Sequence, residues 1–245
     1  MRKRIARITR KQAVFKWRSH EPSRLETFSD AVFAFATTLI IVSLEVPHTF
    51  DELFEVFKGF ISFAACFTIL FLIWNSQNIF FRRYGLNNAY TTFLNALLMF
   101  TVLMYAYPLK FLFVALFSND LYNDHGHMIR MITDKQQPTL MYMYHAGFAA
   151  IYMLFFLMYR HAKTKATILK LSQAEVFETD SNIIINLMNA CLGLAGILLV
   201  YLLPADYKGS TGLIYMLIPF MYGILFTIRG RASRKKFGDI KELEA

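Results

Sequence analysis

Cysteine is scarce. The 245 residues hold two, Cys66 and Cys191, both inside long apolar stretches, so no disulfide framework is possible and no redox compartment is indicated. Charge is scarce in the same stretches. Hydrophobic residues make up 56 % of the chain and run on without the polar face that a soluble helix turns to water, which excludes an ordinary soluble domain. Alternation with a period of two is missing, which excludes a transmembrane β-barrel. Only Pro108 and Pro219 lie deep in or near the ends of apolar segments, and no internal repeat pairs them, which argues against a secondary transporter built on broken helices. The apolar segments also lack a Gly-x-Ser-x-Gly elbow, a phosphate-cradling glycine loop and a cluster of His, Asp and Glu, so no enzyme is expected. No cleavable leader is evident, because the basic start has no short apolar core ending in a small-residue cleavage site.

What remains is six segments, near 24–46, 53–81, 88–117, 139–160, 182–203 and 211–229, each long enough to cross about 30 Å of hydrocarbon at roughly 20 residues per span. Backbone amides in lipid must be satisfied within their own segment, so the runs predict an all-α membrane protein with six transmembrane helices. The formal charge of +9 could suggest nucleic acid, but its distribution follows the membrane. Twenty basic residues lie before the first span, after the second and fourth, and in the tail. The opposite side holds Arg130, Lys135 and Lys208, or five with the membrane-edge Lys58 and Lys110. This asymmetry predicts cytoplasmic N and C termini. The basic excess then serves topology and attraction to anionic lipid, with no nucleic acid partner.

Residues 1–22 form a basic cytoplasmic arm, which reads equally as a surface-lying helix or as an unstructured tether. Residues 23–229 form the six-helix domain, and 230–245 a basic cytoplasmic tail. The arm ends at Pro22, and Ser23 with Glu26 three residues on predicts a capping box that starts the first helix. Residues 118–138 read as a solvated outer loop, and 161–180 as a polar cytoplasmic connection. His125 and His127 make a His-x-His pair, but two ligands without a third do not make a metal site, and no metal or cofactor is expected.

The first helix carries the chemistry: Arg24, Phe28, Ser29 and Asp30, then an Ala- and Thr-containing apolar run to Glu45. Charges at the edge of a span need partners or water, so Arg24 and Asp30 are expected to bind each other or polar groups of the next helices, such as Gln77 and Asn95. Positions 31, 35, 38, 42 and 45 share one stripe at i, i+4, i+7 spacing, whereas Asp30 lies off it. From spacing alone such a stripe serves helix packing or pore lining. Glu45 stands at its outer end, where an acid lining a pore mouth would concentrate cations.

Arg24-x-x-x-Phe28-Ser29-Asp30, the run that follows it and Val46-Pro47 resemble the first helix of the transmembrane protein 175 family of potassium channels. Trp74, Asn95 and Pro108 resemble that family's pattern in the second and third helices. The resemblance implies a central pore surrounded by four six-helix units and lined by the first helix of each. Phe-Ser-Asp occurs once in this chain, so the implied assembly is a homotetramer in the lipid bilayer. The filter sequence Thr-Val-Gly-Tyr-Gly is absent, as it is from the family, and selectivity is then expected from aliphatic constrictions and a polar layer that map to Phe35, Thr38 and Val42.

Two positions depart from the family pattern. Phe35 stands where Ile or Leu is usual, and Gln77 follows Trp74 where a Trp-x-x-His pattern has histidine. Glutamine both donates and accepts without titrating, so a network through it would lose its pH response. The reading is a potassium-selective, leak-type channel in a prokaryotic cell membrane, with monovalent cations as permeant partners. A secondary ion transporter, a proton-permeable channel of the same architecture and a subunit without a pore stay open on the residues alone.

Overall fold

The computed structural model describes residues 15–19, 21–42, 49–117, 121–124 and 127–237, with backbone only for 41–42, 51–59, 121–124, 127–129 and 205–206. Among the described residues six α-helices follow one another: α1 Arg24–Val42, α2 Phe50–Tyr84, α3 Ala89–Phe117, α4 Gln137–Thr164, α5 Gln173–Leu202 and α6 Leu217–Phe237. Five stretches are long and apolar enough to span a bilayer: Phe60–Tyr84, α3, α4, α5 and Tyr207–Phe237. Described as far as Val42, α1 has 19 residues, about 28 Å of helix. The chain is a multi-pass integral membrane protein.

Three features differ from the sequence expectations. The loop between α3 and α4 contains a hairpin, β1 Leu121–Asp124 antiparallel to β2 His127–Arg130, so the described residues are not wholly helical. The connection expected over 161–180 contracts to a turn, because α4 runs on to Thr164 and α5 starts at Gln173. A capping box explains the early start of α5. Ser172 accepts from the Glu175 amide, and Glu175 accepts from the Ser172 amide. The sixth span opens as a 3₁₀ segment, Ala205–Met216, before α6, which itself continues to Phe237, beyond the expected end of the domain at 229. Gly209 and Gly212 lower its α-helical propensity, and Thr211 and Tyr215 are each tied to the buried His145 of α4. The arm over 1–14, His125 and the tail over 238–245 lie outside the described residues.

Packing follows small residues and aromatic rings. At Gly193 of α5 an added Cβ would meet the Ala149 Cβ of α4 at 2.8 Å, and at Gly196 it would strike the His145 ring. Without a hydrophobic drive between helices in lipid, such close backbone approach holds the α4–α5 pair together. α1 lies against α2 and α3. α6 has no buried residue. It is held by Arg229, whose guanidinium lies 3.9 Å from the Phe177 ring centroid and donates to the Ser181 hydroxyl and the Phe177 carbonyl.

At the basic end, where α1 and α5 begin and α2 and α4 finish, residues 15–19 thread between helices. Phe15 is buried, edge-on to Tyr84. The Arg18 amide donates to the Arg82 carbonyl, and its guanidinium forks onto Glu175 with both bonds at 2.9 Å. Glu175 also accepts from the Lys16 amide at 2.9 Å, which fills the carboxylate. The Glu175 and Arg18 side chains are only 4 % and 15 % exposed, so loss of one strands the other. Glu175→Ala should lower stability by about 3 kcal/mol, because it leaves a buried guanidinium unpaired. A fall of the thermal midpoint in detergent checks this, and Arg18→Ala should give a fall of similar size.

Candidate functional site

The site is built on α1, whose start is set by the expected capping box. The Ser23 amide donates to Glu26 at 3.0 Å and the Glu26 amide to the Ser23 hydroxyl at 3.3 Å. From there α1 has two unlike faces. Ser29, Phe33, Ala36 and Ile40 are buried against α2 and α3. On the other side Arg24, Phe28, Ala31, Phe35 and Thr38 are exposed, Phe28 and Phe35 by 61 % and 57 %. Their alternating steps of four and three are those of a helix–helix seam.

The buried face is pinned by a one-way relay of hydrogen bonds. Gln77 Nε2 of α2 donates to Asn95 Oδ1 of α3 at 2.8 Å. Asn95 Nδ2 donates to Ser29 Oγ at 2.8 Å, and Ser29 donates to the Leu25 carbonyl at 2.8 Å. Ser29, Gln77 and Asn95 are all at most 2 % exposed. Polar groups at such depth need partners, and here three helices supply them to one another. Every member is uncharged, so no step of the relay titrates.

Asp30 finds its partner on α2, one of the two helices expected to supply it, but at Trp74 and not at Gln77 or Asn95. Trp74 Nε1 donates to the Asp30 Oδ1 at 2.7 Å, beside a cleft of about 140 Å³ shared with Glu21, Glu26, Asn78 and Arg82. Arg24 is exposed and makes no ion pair among the described residues. Six residues on an α-helix lie about 120° apart, so Arg24 and Asp30 face different neighbours. On the exposed stripe, Thr38 Oγ1 donates to the Ala34 carbonyl at 2.9 Å. The Val42 side chain and Glu45 lie outside the described residues. Among the described residues no three His, Cys, Asp or Glu side chains gather as metal ligands.

Sequence reasoning missed a second anchor of α1, near Ile40. Lys110 of α3 donates from Nζ to the Ile40 carbonyl at 2.6 Å, placing an ammonium on the C-terminal end of the helix. A lone lysine inside an apolar span was its signal. Counting Lys110 only toward topology hid it. The relay itself can be tested. Asn95→Ala leaves Ser29 and Gln77 without their partner and should cost about 1–3 kcal/mol. Thermal unfolding in detergent checks this, with Gln77→His expected to cost less because a ring N–H can replace the amide donor.

Comparison with known proteins agrees with this architecture. The family described as endosomal/lysosomal potassium channel TMEM175 matches residues 24–105, which cover α1, α2 and the first part of α3. A protein of Marivirga tractuosa named "Potassium channel" is 34 % identical over 246 residues, covering 96 % of this chain and 97 % of that protein. A crystal structure of the potassium channel MtTMEM175, a threonine-to-alanine variant in complex with a Nanobody-MBP fusion protein, superposes with a TM-score of 0.72. It is 33 % identical, and the match covers 90 % of this chain and 97 % of that one. The structure of a lysosomal potassium-selective channel TMEM175 homolog from Chamaesiphon minutus shares the fold at a TM-score of 0.55 and 19 % identity, over 84 % of this chain and 99 % of that one. With one relative a third identical over nearly the whole of both chains, and with the α1–α3 region matching the family itself, the chain belongs to the TMEM175 family of potassium channels.

Proposed function

We propose that the chain forms a potassium-selective, leak-type channel in which four copies surround a pore lined by α1, with the basic end and both termini in the cytoplasm. The observation that carries this reading is the uncovered stripe of α1. A single chain leaves Phe28, Ala31, Phe35 and Thr38 exposed at seam spacing, opposite a face that is fully committed to α2 and α3. The Phe-Ser-Asp motif occurs once, so one stripe per chain is available and four chains close a ring. The names of the relatives that are about a third identical support the same ion.

In that ring Thr38 does the chemistry. Its hydroxyl proton is spent on the Ala34 carbonyl, so the oxygen offers only lone pairs to the pore axis. Four such oxygens replace part of the hydration shell of potassium, which holds its water less tightly than sodium does. Phe35 on one side and Val42 on the other bring no oxygen and set width and wetting. Continued spacing carries Glu45 to the outer mouth, where four carboxylates concentrate cations. Ser29, Asp30, Trp74, Gln77 and Asn95 hold α1 in place and do not touch the ion, whereas Arg24 and Phe28, expected to share that task, lie on the exposed side.

Native mass spectrometry in detergent should give four copies, and a conducting monomer or dimer would sink the central pore. Thr38→Val keeps the shape and deletes the hydroxyls. It should lower the potassium-over-sodium ratio severalfold with little change in protein yield, whereas Val42→Ala should change conductance or gating. Bi-ionic reversal potentials in planar bilayers measure both. An unchanged reversal potential in Thr38→Val with current intact would place selectivity elsewhere.

A further inference from the structure

We infer that the basic end carries a binding site for the phosphate of an anionic phospholipid headgroup, between Lys16 of the threaded segment and Lys170 of the α4–α5 turn. A groove of about 380 Å³ opens there, lined by Lys16, Arg18, Gly85, Ile168 and Lys170, with no acidic side chain on its wall. Arg18 is fully engaged, since its guanidinium bonds both Glu175 oxygens and the carbonyls of Lys16, Arg83 and Leu169. Its charge is cancelled and its role is to shape the wall. Lys16 and Lys170 differ. Both are exposed, and neither ammonium pairs with an acid among the described residues.

A second observation, independent of charge, points at Lys170. Two residues on this groove adopt a left-handed backbone, Gly85 at φ 58° and Lys170 at φ 49°. Both end helical segments. After α4 the Leu171 amide bonds the Ala166 carbonyl and the Lys170 amide the Thr167 carbonyl, a pattern that places Lys170 at the position where glycine is favoured. Gly85 follows the rule, and Lys170 is the one non-glycine with positive φ among the described residues. Glycine would hold this turn without the steric cost of a Cβ. Backbone strain retained at one residue points to a use for its side chain. Local stability does not call for a lysine here, and an anion in the groove does.

The level in the membrane selects the source of that anion. The groove lies past the ends of α2 and α4 and before the start of α5, at the polar margin of these apolar helices, which is the side on which lipid headgroups would meet them. Ile168 stands on its rim, 74 % exposed, an apolar side chain suited to acyl carbons beside two cations suited to phosphate. An occupant also reaches the channel helix, because the Lys16 amide is bonded to Glu175 and the chain arrives at the α1 cap, Ser23, seven residues later.

The test uses the full chain in neutral detergent, titrated separately with dioctanoyl phosphatidylglycerol, dioctanoyl phosphatidylcholine and inorganic phosphate. Native mass spectrometry follows adducts, and the thermal midpoint follows stability. The expected result is saturable binding of phosphatidylglycerol alone, weakened about fivefold by Lys16→Gln and again by Lys170→Gly. Lys170→Gly should at the same time raise the lipid-free midpoint, a split that a merely structural lysine would not produce. Unchanged phosphatidylglycerol affinity in both variants overturns the site. Inorganic phosphate binding as tightly as the lipid overturns the headgroup assignment in favour of a soluble anion. A lower lipid-free midpoint in Lys170→Gly overturns the argument from strain.

Discussion

The rotation of α1 about its own axis is the constraint on which the other features of the site depend. Lipid is as apolar as leucine, so a helix in a bilayer has no hydrophobic reason to turn one face inward. Here the choice is made by Ser29, whose hydroxyl is held at 2.8 Å by Asn95, itself held at 2.8 Å by Gln77. A shift of one residue would swing Ser29 by about 100° and take the acceptor from the buried Asn95 amide nitrogen. Trp74 on Asp30 adds a second pin one residue along, and Lys110 on the Ile40 carbonyl holds the far end. With the buried face fixed at Ser29, Phe33, Ala36 and Ile40, the exposed stripe follows as its geometric complement.

The rest of the bundle acts as a frame for that helix. α4 and α5 meet through Gly193 and Gly196, where backbone and side chain are too close for any Cβ to be added without movement. Segment 15–19 locks onto the same frame through Phe15 and Arg18, and then leads through Pro22 into the α1 cap. The start of α1 is therefore anchored twice, through the polar relay and along the chain. The 3₁₀ segment and α6 stand apart, joined through His145 and Arg229.

Much of this could be read from the residues, for physical reasons that are local. A run of apolar side chains long enough to cross a bilayer is a property of the chain itself, and so is a capping box. Ser23–Glu26 has the same meaning on paper and in space. The polar residues Ser29, Asp30, Trp74, Gln77 and Asn95 also announced themselves, because polar groups inside spans must be satisfied. Their pairing was another matter. Spacing within one helix says which side a residue faces and nothing about which neighbour lies there, so Asp30 found Trp74 while Ser29 took Asn95, which in turn took Gln77.

Sequence by itself determined that this chain is an α-helical membrane protein, where α1 begins, and which side chains on that helix share a stripe. These follow from hydropathy, capping and helical periodicity, all of which act over a few residues. Tertiary structure alone decided which stripe of α1 is covered, that Lys110 reaches its last turns, and that Arg18 and Glu175 meet across 157 residues of chain. It also decided that Lys170 sits in a left-handed turn facing Lys16. Those outcomes depend on contacts between segments far apart in the chain, and no local pattern encodes the distance between them.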